Sequence, residues 1–532
     1  MYKSVSLLLP IGITCFLTSC LPGTSSENAS AKQTKPNILI ILADDLGYND
    51  VSFMGSKFYE TPHLDELANK SYVFTNAYSN SRVCSPSRAS IMNGKFTARH
   101  GITDFLGAKT EEDWREHGRH DRMLPAYFQR GLSDREITLT QVIKDAGYIT
   151  YFAGKWHLGN KGKEPTKYGF DFNVGGYNSG SPRGGYFSPY NNPALNDGPE
   201  GENLTMRLAD ETSTFIRHNK DTPFFAFLSF YAVHGPIETT QAKWQKYQDK
   251  VKKRGAADRG FEMGDVLPYR LHQDNPVYAG LVSSMDDAIG RVLQTLKDEG
   301  LDEKTIVIFT SDNGGVVSGD SYSTNLSPLR GGKGHPREGG IRVPFCIYNP
   351  LDKRGGSQVK IDAPAIGSDI FPTILELTGN PLLPEVHVDG VSLAPLMRGE
   401  KSKERSLIWH YPHYGNQGGK PSSIIRKGEW KLIHFYETDH LELYNLDADI
   451  SETTNLVDSL PALAASLHQE LTDYLQSVSA KYPTVDPSYS PEDRLKWEKK
   501  IKNELLTNLE KERKGMLDDS FKGKDNWWGS ED

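Results

Sequence analysis

The stretch Asn37-Ile38-Leu39-Ile40-Ile41-Leu42-Ala43, followed directly by Asp44-Asp45, decides the fold of this chain. It is a nearly continuous run of apolar side chains. A second run of the same kind, Thr305–Phe309, leads into Thr310-Ser311-Asp312-Asn313-Gly314. Such runs predict strands that are buried on both faces, which is typical of a parallel sheet covered by helices.

The segments between these two runs extend the same pattern. Ile149–Ala153 and Phe224–Phe230 are further strand candidates, and the segment from Pro276 to Glu299 predicts a helix that ends before Gly300. The apolar residues with helical spacing in that segment are Leu281, Met285, Ile289, Val292 and Leu296. Strands that alternate with helices predict an α/β fold with a mostly parallel central sheet sandwiched by helices.

The character of the sequence changes after about residue 400. Short segments at Ser406–Tyr411, Ser423–Arg426 and Trp430–Tyr436 predict antiparallel strands, and a helix is predicted near Leu460–Ser477. We therefore expect a main domain over residues 36–400 and a smaller C-terminal antiparallel α+β subdomain over residues 401–485. Residues 486–532 are rich in Lys and Glu and predict a solvated surface helix with a polar end.

The N-terminus has the features of an export signal. Lys3 precedes a mostly apolar run from Val5 to Leu17, which is too short to be a typical spanning helix. Leu17-Thr18-Ser19-Cys20 resembles a bacterial lipobox, which implies a lipoprotein signal peptide over residues 1–19 and lipidation of Cys20. An ordinary cleaved signal peptide with an incidental Cys20 is the alternative. Residues 22–35 are small and polar, so a polar tether is predicted over residues 20–35.

This reading predicts an exported, lipid-anchored protein at the bacterial outer membrane or in the periplasm. The net charge of -8 argues against a nucleic-acid partner, because nucleic-acid-binding proteins usually carry a basic excess. Outside the N-terminal segment only Cys84 and Cys346 remain, so the chain is not a disulfide scaffold. Cys346 follows Val343-Pro344-Phe345 and is predicted to be a buried strand residue.

Two polar clusters directly follow predicted strands and point to a ligand site. Ligands of open α/β sheets gather beyond the carboxyl ends of the strands, which is where Asp44-Asp45 and Asp312-Asn313 occur. A single Asp at such a place is more often a helix cap or a turn residue, but two clusters together with the segment Cys84–Arg88 argue against that interpretation. Their oxygen ligands suit Ca²⁺ or Mg²⁺ and fit Zn²⁺ poorly.

The segment Cys84-Ser85-Pro86-Ser87-Arg88 looks like the C-x-P-x-R core of the type I sulfatase signature, and the residues from Ala89 to Lys95 continue the likeness. Further motifs of that family occur in the same order along the chain. They are Ala43-Asp44-Asp45-Leu46-Gly47, Gly154-Lys155-Trp156-His157-Leu158-Gly159, Val233-His234-Gly235-Pro236, Ser311-Asp312-Asn313-Gly314 and Gly331-Gly332-Lys333-Gly334. Over residues 36–460 the chain therefore resembles a formylglycine-dependent sulfatase of the alkaline phosphatase-like superfamily.

The resemblance implies a modified nucleophile and a bound cation. Cys84 would be oxidised to Cα-formylglycine (3-oxoalanine) by a formylglycine-generating enzyme, and the hydrated aldehyde would attack the sulfate ester. Arg88 would hold this nucleophile and a neighbouring carboxylate, since its guanidinium is a rigid, charged fork. The resemblance favours Ca²⁺, with Mg²⁺ possible. The implied metal ligands are Asp44, Asp45, Cys84, Asp312 and Asn313.

The resemblance also assigns roles to two lysines and two histidines. Lys155 would bind a sulfate oxygen and His157 would contact the formylglycine hydroxyl. These two residues lie two apart in a segment predicted to be extended, so both side chains can point to one face. His234 is the candidate general acid for the leaving alcohol. Lys333 lies in a glycine-rich loop and would neutralise developing charge.

Residues that recognise the rest of the substrate are less evident. Asn178 and Ser179 lie in the region where the family places a further sulfate contact, and Arg183 is a candidate to bind a carboxylate or a second sulfate of the substrate. His410 and His413, in His410-Tyr411-Pro412-His413-Tyr414, belong either to a loop that covers the site or to a packed junction between subdomains. The implied substrate is a sulfated polysaccharide or oligosaccharide of the algal ulvan or carrageenan type, or a glycosaminoglycan.

Two other functions stay open at this point. A phosphonate monoester or phosphodiester hydrolase of the same superfamily can also use formylglycine. An inactive surface glycan-binding lipoprotein would be favoured if Cys84 stayed unmodified. A zinc phosphatase is not favoured, because the nucleophile position is Cys and no His-rich metal shell is evident.

Overall fold

The computed structural model describes residues 35–352, 354, 357–401, 403–523 and 528–530. The predicted signal peptide and lipidated Cys20 lie outside these residues. From Pro36 onward the described chain forms one compact unit. Within the described residues, no helix is both long enough and apolar enough to cross a bilayer.

The strands are short except near the centre of the main sheet. In chain order they are β1 Asn37–Ala43, β2 Tyr72–Phe74, β3 Ala77–Tyr78, β4 Met123–Leu124, β5 Ile149–Gly154, β6 Phe172–Val174, β7 Phe224–Ser229, β8 Phe261–Met263, β9 Pro268–Arg270, β10 Thr305–Ser311, β11 Phe345–Tyr348, β12 Val359–Ile361, β13 Ala365–Ile366, β14 Ser406–Tyr411, β15 Ser422–Lys427, β16 Trp430–Phe435, β17 His440–Asn445 and β18 Thr484–Val485.

The α-helices lie mostly between these strands. In chain order they are α1 Pro62–Ala68, α2 Cys84–Asn93, α3 Thr97–His100, α4 Leu139–Asp145, α5 Leu204–His218, α6 Gln241–Arg254, α7 Pro276–Asp298, α8 Glu338–Ile341, α9 Ile370–Leu377, α10 Ala394–Met397, α11 Pro461–Ser477, α12 Pro491–Lys500 and α13 Leu506–Leu517. A π-helical turn, Ile501–Leu505, joins the last two helices.

The predicted central sheet is confirmed as mostly parallel. Its order is β12-β2-β11-β10-β1-β7-β5-β6, and only β11 pairs antiparallel with its neighbours β10 and β2. Alternate residues of β1 enter different hydrophobic clusters, one containing Leu39 and Ile41 and the other Ile38 and Ile40. Both faces of β1 are therefore buried, as its unbroken apolar sequence predicts.

Helices cover both faces of this sheet. The cluster on one face includes residues of α5, α6 and α7, and the cluster on the other includes residues of α2, α4 and α9. The predicted apolar stripe of α7 is confirmed, because Leu281, Met285 and Ile289 are almost completely buried. Cys346 lies on β11 and is fully buried, as predicted.

The C-terminal region contains the expected small antiparallel sheet. Its order is β14-β15-β16-β17, and α11 packs on it through Leu467 and Leu471, which share a cluster with Ile425 and Leu432. The hairpin between β15 and β16 turns at Gly428, whose φ of 57° lies in the left-handed region that glycine adopts easily.

The prediction of a wholly solvated C-terminal tail is wrong for its second half. No residue of α12 is buried, but Leu509 and Arg513 of α13 are. The guanidinium of Arg513 bonds to Asp274 at 2.6 Å, and the indole of Trp244 donates to the carbonyl of Met516 at 3.0 Å. The Lys- and Glu-rich composition hid these contacts, since a few buried side chains suffice to fix a helix to a domain.

Candidate active site

The parallel register of β1 and β10 brings the two predicted polar clusters together. Ala43, the last residue of β1, lies beside Ser311, the last residue of β10. The residues that follow, Asp44 and Asp312, therefore leave the same edge of the sheet side by side. The backbone N–H of Asp45 donates to Asp312 Oδ1 at 3.3 Å, which ties the two loops to each other.

Three buried carboxylates at this edge are each paired with a buried cation. None of the six side chains is more than 5% exposed. The pairs are Asp44–Lys155 at 2.6 Å, Asp45–Lys333 at 2.8 Å and Asp312–Arg88 at 2.7 Å. Burial opposes ionisation of Asp45, but Lys333 and His234 outweigh it and hold its pKa well below the usual range. Burial raises the pKa of Asp44 although Lys155 opposes this effect. When all six groups are ionised, the charges of the three pairs sum to zero.

Cys84 is the first residue of α2, and Arg88 follows one turn later on the same helix. Cys84 is buried, and burial raises the pKa of its thiol. Arg88 is anchored at three points: Asp312, the carbonyl of Lys155 at 2.7 Å and Ser229 Oγ at 2.7 Å. Sequence reasoning missed Ser229, although it lies in the predicted strand Phe224–Phe230 and is the last residue of β7.

A glycine allows β5, the strand that ends just before Lys155, to approach β7 closely. Gly154 has a φ of 98°, and a Cβ at this position would lie 1.9 Å from the carbonyl oxygen of Ser229. Any other residue here would push β5 away from β7. Lys155 follows directly, and its backbone N–H donates to the same carbonyl at 2.8 Å.

The cluster has the oxygen atoms that a divalent cation needs. One ligand atom each from Asp44, Cys84 and Asp312 lie within 4.8 Å of one another. Asp44 Oδ1 and Asn313 Oδ1 are buried and accept no hydrogen bond from the residues that the structure describes. Orphaned buried oxygens are costly unless a cation or a donor binds them. The donor set therefore fits a hard divalent ion such as Ca²⁺ or Mg²⁺.

The two predicted histidines also reach this site, but not through an extended segment. His157 has a φ of 53°, in the left-handed region, so the backbone is not extended at this residue as predicted. Its Nε2 lies 3.0 Å from the carbonyl oxygen of Leu106. His234 Nδ1 lies 2.6 Å from the carbonyl oxygen of Gly235, and its Nε2 lies 3.7 Å from Asp45 Oδ2. Burial and then Lys333 lower the pKa of His234 to about 4.

Of the predicted catalytic residues, Cys84, His157, His234 and Lys333 line one pocket of about 280 Å³. Its lining residues come from the C-terminal subdomain as well as the main domain. They are Val83, Cys84, Phe105, Leu106, His157, Gly180, Ser181, His234, Asp320, Lys333, Asn416 and Gln417. A larger cavity of about 640 Å³ is lined by residues of α1, α5 and α7 and contains none of the predicted site residues.

Comparison with known proteins agrees with this arrangement. A sequence model of the Sulfatase family matches residues 36–380. The chain belongs to the sulfatase family. It is therefore a sulfuric ester hydrolase. A second family model, described as N-sulphoglucosamine sulphohydrolase, C-terminal, matches residues 333–481 of this sulfatase. The two matches together span both the central sheet and the C-terminal antiparallel sheet.

Similarity extends over nearly the whole length of a relative. A protein named Sulfatase from Formosa agariphila is 31% identical over 549 aligned residues, which cover 89% of this chain and 94% of the relative. The crystal structure of Ps i-CgsB in complex with k-i-k-neocarrahexaose has a TM-score of 0.67 at 24% identity, over 89% of this chain and 99% of that one. At this identity the structural likeness shows the fold alone.

The same fold also occurs in an enzyme of another name. The phosphonate monoester hydrolase of Agrobacterium radiobacter superposes with a TM-score of 0.57 at 20% identity, over 85% of this chain and 100% of that chain. The predicted alkaline phosphatase-like fold class is confirmed by these neighbours. The fold by itself does not separate sulfate esters from phosphonate esters.

Three of the predicted substrate contacts lie next to the pocket rather than in it. Asn178 and Arg183 are exposed, and the guanidinium of Arg183 lies 5.2 Å from the ring centroid of Tyr177. Ser179 Oγ donates to the carbonyl of Ser181 at 2.7 Å. Ser181 itself lines the pocket, so this loop borders the site without placing the predicted side chains in it.

The structure does not bring His410 and His413 into the pocket, which corrects the expectation that they contact substrate. Both are buried. His410 Nδ1 lies 2.7 Å from Ser423 Oγ, and its Nε2 lies 2.8 Å from the carbonyl oxygen of Lys481. His413 Nε2 lies 2.8 Å from Thr103 Oγ1. Of the two alternatives, the packed junction is the one observed.

The burial of His410 predicts acid sensitivity. Burial lowers the pKa of His410 to about 4, whereas an unfolded histidine has a pKa of about 6.5. The unfolded chain therefore binds the proton more readily, and the contribution of a neutral His410 to stability is complete above pH 6.5. It is lost as pH falls towards 4, by up to about 3 kcal/mol. The free energy of unfolding in urea at pH 7 and pH 4.5 should drop less for His410→Gln than for the wild type.

Proposed function

We propose that this sulfatase removes sulfate from a sulfated polysaccharide or oligosaccharide, using a formylglycine derived from Cys84 and a bound divalent cation. The observation that carries the proposal is the place of Cys84. It begins α2, it lines the pocket, and its Sγ lies within 4.8 Å of carboxylate oxygens of Asp44 and Asp312. A side chain at this point can reach both a cation and an ester in the pocket.

The cation explains how an anion can bind beside carboxylates. The three ion pairs leave the site neutral, so a divalent ion would give it a charge of about +2 and attract a sulfate ester. Asp44, Asp45, Asp312 and Asn313 would hold this ion, Ca²⁺ in the first place and Mg²⁺ as the alternative. When bound, the ion would polarise a sulfate oxygen and orient the nucleophile.

The hydrated aldehyde supplies one hydroxyl that attacks sulfur and a second whose deprotonation releases sulfate. His157 is suited to take that second proton, because its Nδ1 is buried and accepts or donates no hydrogen bond within the described protein. Burial holds the pKa of His157 well below its usual value, so the ring is neutral and able to accept a proton. Lys155 and Lys333 keep positive charge at the sulfate oxygens.

His234 is proposed to protonate the leaving alcohol. In the resting site its lowered pKa leaves the ring neutral at pH 7. An anionic ester bound next to it would offset the positive charge of Lys333, which favours the protonated imidazole. Nδ1 faces the carbonyl of Gly235, so Nε2 is the atom that faces the pocket and delivers the proton.

The proposed substrate is a sulfated glycan of the algal carrageenan or ulvan type, or a glycosaminoglycan. The oligosaccharide bound in the Ps i-CgsB structure supports this class, since that protein shares the fold over 89% of this chain. The predicted export signal supports it as well, because a polymer outside the cell must be desulfated there.

The proposal also includes the oxidation of Cys84 and the attachment of the protein to a membrane. Conversion of Cys84 requires a formylglycine-generating enzyme as a partner during synthesis. The lipobox-like sequence around Cys20 supports a lipid-anchored protein at the outer membrane or in the periplasm, with residues 20–35 as the tether. The lipid would be the only attachment to the membrane.

A phosphonate monoester or phosphodiester hydrolase is the second candidate, because an enzyme of that name shares the fold. The two functions differ in the charge and geometry of the transferred group. Values of kcat/KM for a matched pair, 4-nitrophenyl sulfate and a 4-nitrophenyl phosphonate monoester, separate them. A preference for the phosphonate would overturn the proposed function.

The first test is the mass of the tryptic peptide that carries residue 84, taken from protein made in its own organism. We expect a mass about 18 Da below that of the cysteine form, which is the difference between thiol and aldehyde. The peptide that carries Cys346 serves as the control and should keep its thiol. An unmodified Cys84 in fully folded protein would remove the proposed nucleophile and favour a glycan-binding role.

A further inference from the structure

Asp320 is a pocket carboxylate that the proposed mechanism does not use. It lies on the loop after β10 and lines the pocket with Cys84, His234 and Lys333. Unlike the three carboxylates of the cation site, Asp320 is exposed and forms no ion pair among the described residues. Its Oδ2 accepts a hydrogen bond from the side-chain amide of Gln417, and its Oδ1 accepts none within the described chain.

The contact with Gln417 is built by close packing of two loops. The segment of residues 415–419 reaches the pocket from the C-terminal subdomain. Gly319, with a φ of 63°, has no room for a side chain, because a Cβ would lie 2.8 Å from the Cα of Gln417. Gly334, with a φ of 79°, is similar, because a Cβ would lie 2.4 Å from Gln417 Oε1. These glycines allow Gln417 to sit between the loops that carry Asp320 and Lys333.

The backbone of Asp320 is also held in an uncommon conformation. Its φ is 44°, in the left-handed region that Asp adopts more easily than most residues but still at some cost. Arg270 holds the same loop two residues further on, because its Nε donates to the carbonyl of Tyr322 at 2.6 Å. Arg270 is fully buried and pairs with Asp274. The Asp320 carboxylate therefore lies at the pocket on a constrained loop. Residues held in uncommon backbone conformations cluster at functional sites.

We propose that Asp320, oriented by Gln417, accepts hydrogen bonds from free hydroxyl groups of the sugar that carries the sulfate. The enzyme would therefore prefer a neutral sugar with a single sulfate over a sugar that has a second sulfate or a carboxylate next to the reacting one. This inference rests on the proposed sulfatase function and adds the chemistry of the sugar to it.

Charge and volume support this choice of ligand. A carboxylate accepts strongly from hydroxyl donors and repels a second anion at close range. Lys333 also lines the pocket, and the proposed cation would supply the net positive charge that attracts the reacting sulfate. The volume of about 280 Å³ is near the lower end for ligand pockets, which suits one sugar ring together with its sulfate.

The test compares three sulfate esters with wild-type enzyme and Asp320→Asn. The esters are 4-nitrophenyl sulfate, a neutral oligosaccharide with one sulfate, and the same oligosaccharide with a second sulfate on the adjacent carbon. Asn keeps the shape and tolerates the left-handed backbone but removes the charge. We expect kcat/KM for the monosulfated sugar to fall about 10- to 100-fold more than that for the aryl ester. The preference for monosulfated over disulfated sugar should shrink about tenfold.

The matched control is Asp265→Asn, which removes the same charge from an exposed residue that does not line this pocket. It should leave all three rates unchanged. Gln417→Leu provides a second variant that removes the orienting amide. We expect it to lower two ratios of kcat/KM in the same direction but by less: monosulfated sugar over aryl ester, and monosulfated over disulfated sugar. If Asp320→Asn changes kcat/KM for all three esters by one common factor, the inference fails while the sulfatase function stands. If the wild-type enzyme with formylglycine at residue 84 hydrolyses no sulfate ester, the proposed function itself fails.

Discussion

Asp312→Asn should lower kcat/KM for every sulfate ester by about 10³-fold and should abolish stabilisation of the protein by divalent cations. Asp312 has two tasks in the structure. Its Oδ2 pairs with Arg88 at 2.7 Å, and its Oδ1 holds the backbone of Asp45 at 3.3 Å. The substitution removes one negative charge from the proposed cation site and leaves the buried guanidinium of Arg88 without a full counter-charge. Both effects weaken the binding of a hard cation.

The cation effect can be measured apart from activity. For the wild type, thermal unfolding in CaCl₂ and in EDTA should differ by a stabilisation of about 2.7 kcal/mol when the ion is at one hundred times its Kd. Asp312→Asn should show no such difference, and isothermal titration calorimetry should show no binding. Asp298→Asn, which alters an exposed carboxylate at the end of α7, is the matched control. A cation-dependent midpoint that persists in Asp312→Asn would refute the assignment of this ligand.

The central strands could be predicted because their signal is local and strong. The bounds of β1 agree with the prediction, since an unbroken apolar run has no other stable place than a sheet buried on both faces. The proximity of Asp44 and Asp312 also followed from the sequence, because the carboxyl ends of parallel strands meet at one edge. The short strand β2 and the antiparallel pairing of β11 could not be predicted in this way. Strands of three or four residues carry too little periodicity.

The rest of the pocket depends on contacts between distant segments. Ser229 anchors Arg88 from across the sheet, and Gln417 meets Asp320 from the C-terminal subdomain. Neither residue belongs to a recognisable motif. The assignment of His410 left two alternatives open for the same reason: the sequence shows an aromatic segment but not whether another surface covers it. Polar residues whose role is set by tertiary packing can be recognised only when that packing is known.

Arg88→Lys should produce an enzyme that keeps the positive charge yet loses about 10²-fold in kcat. Arg88 donates Nε to Asp312 and Nη1 to both the carbonyl of Lys155 and Ser229 Oγ. A lysine ammonium is a compact point charge and cannot span these three partners from one position. The end of β5 and the cation site would then no longer be held in a fixed relation to Cys84, and misplacement by about 1 Å is enough for such a loss.

Stability provides the second measurement for this variant. Partial loss of a buried ion pair leaves Asp312 short of a donor, so the free energy of unfolding in urea should fall by about 3 kcal/mol. Arg135→Lys, at an exposed position, should change neither stability nor kcat. Full activity in Arg88→Lys would mean that charge alone is required at this position. A loss of kcat with an unchanged KM and intact cation binding would instead show that the planar fork of Arg88 aligns the nucleophile, because charge and ligands would then be present but wrongly placed.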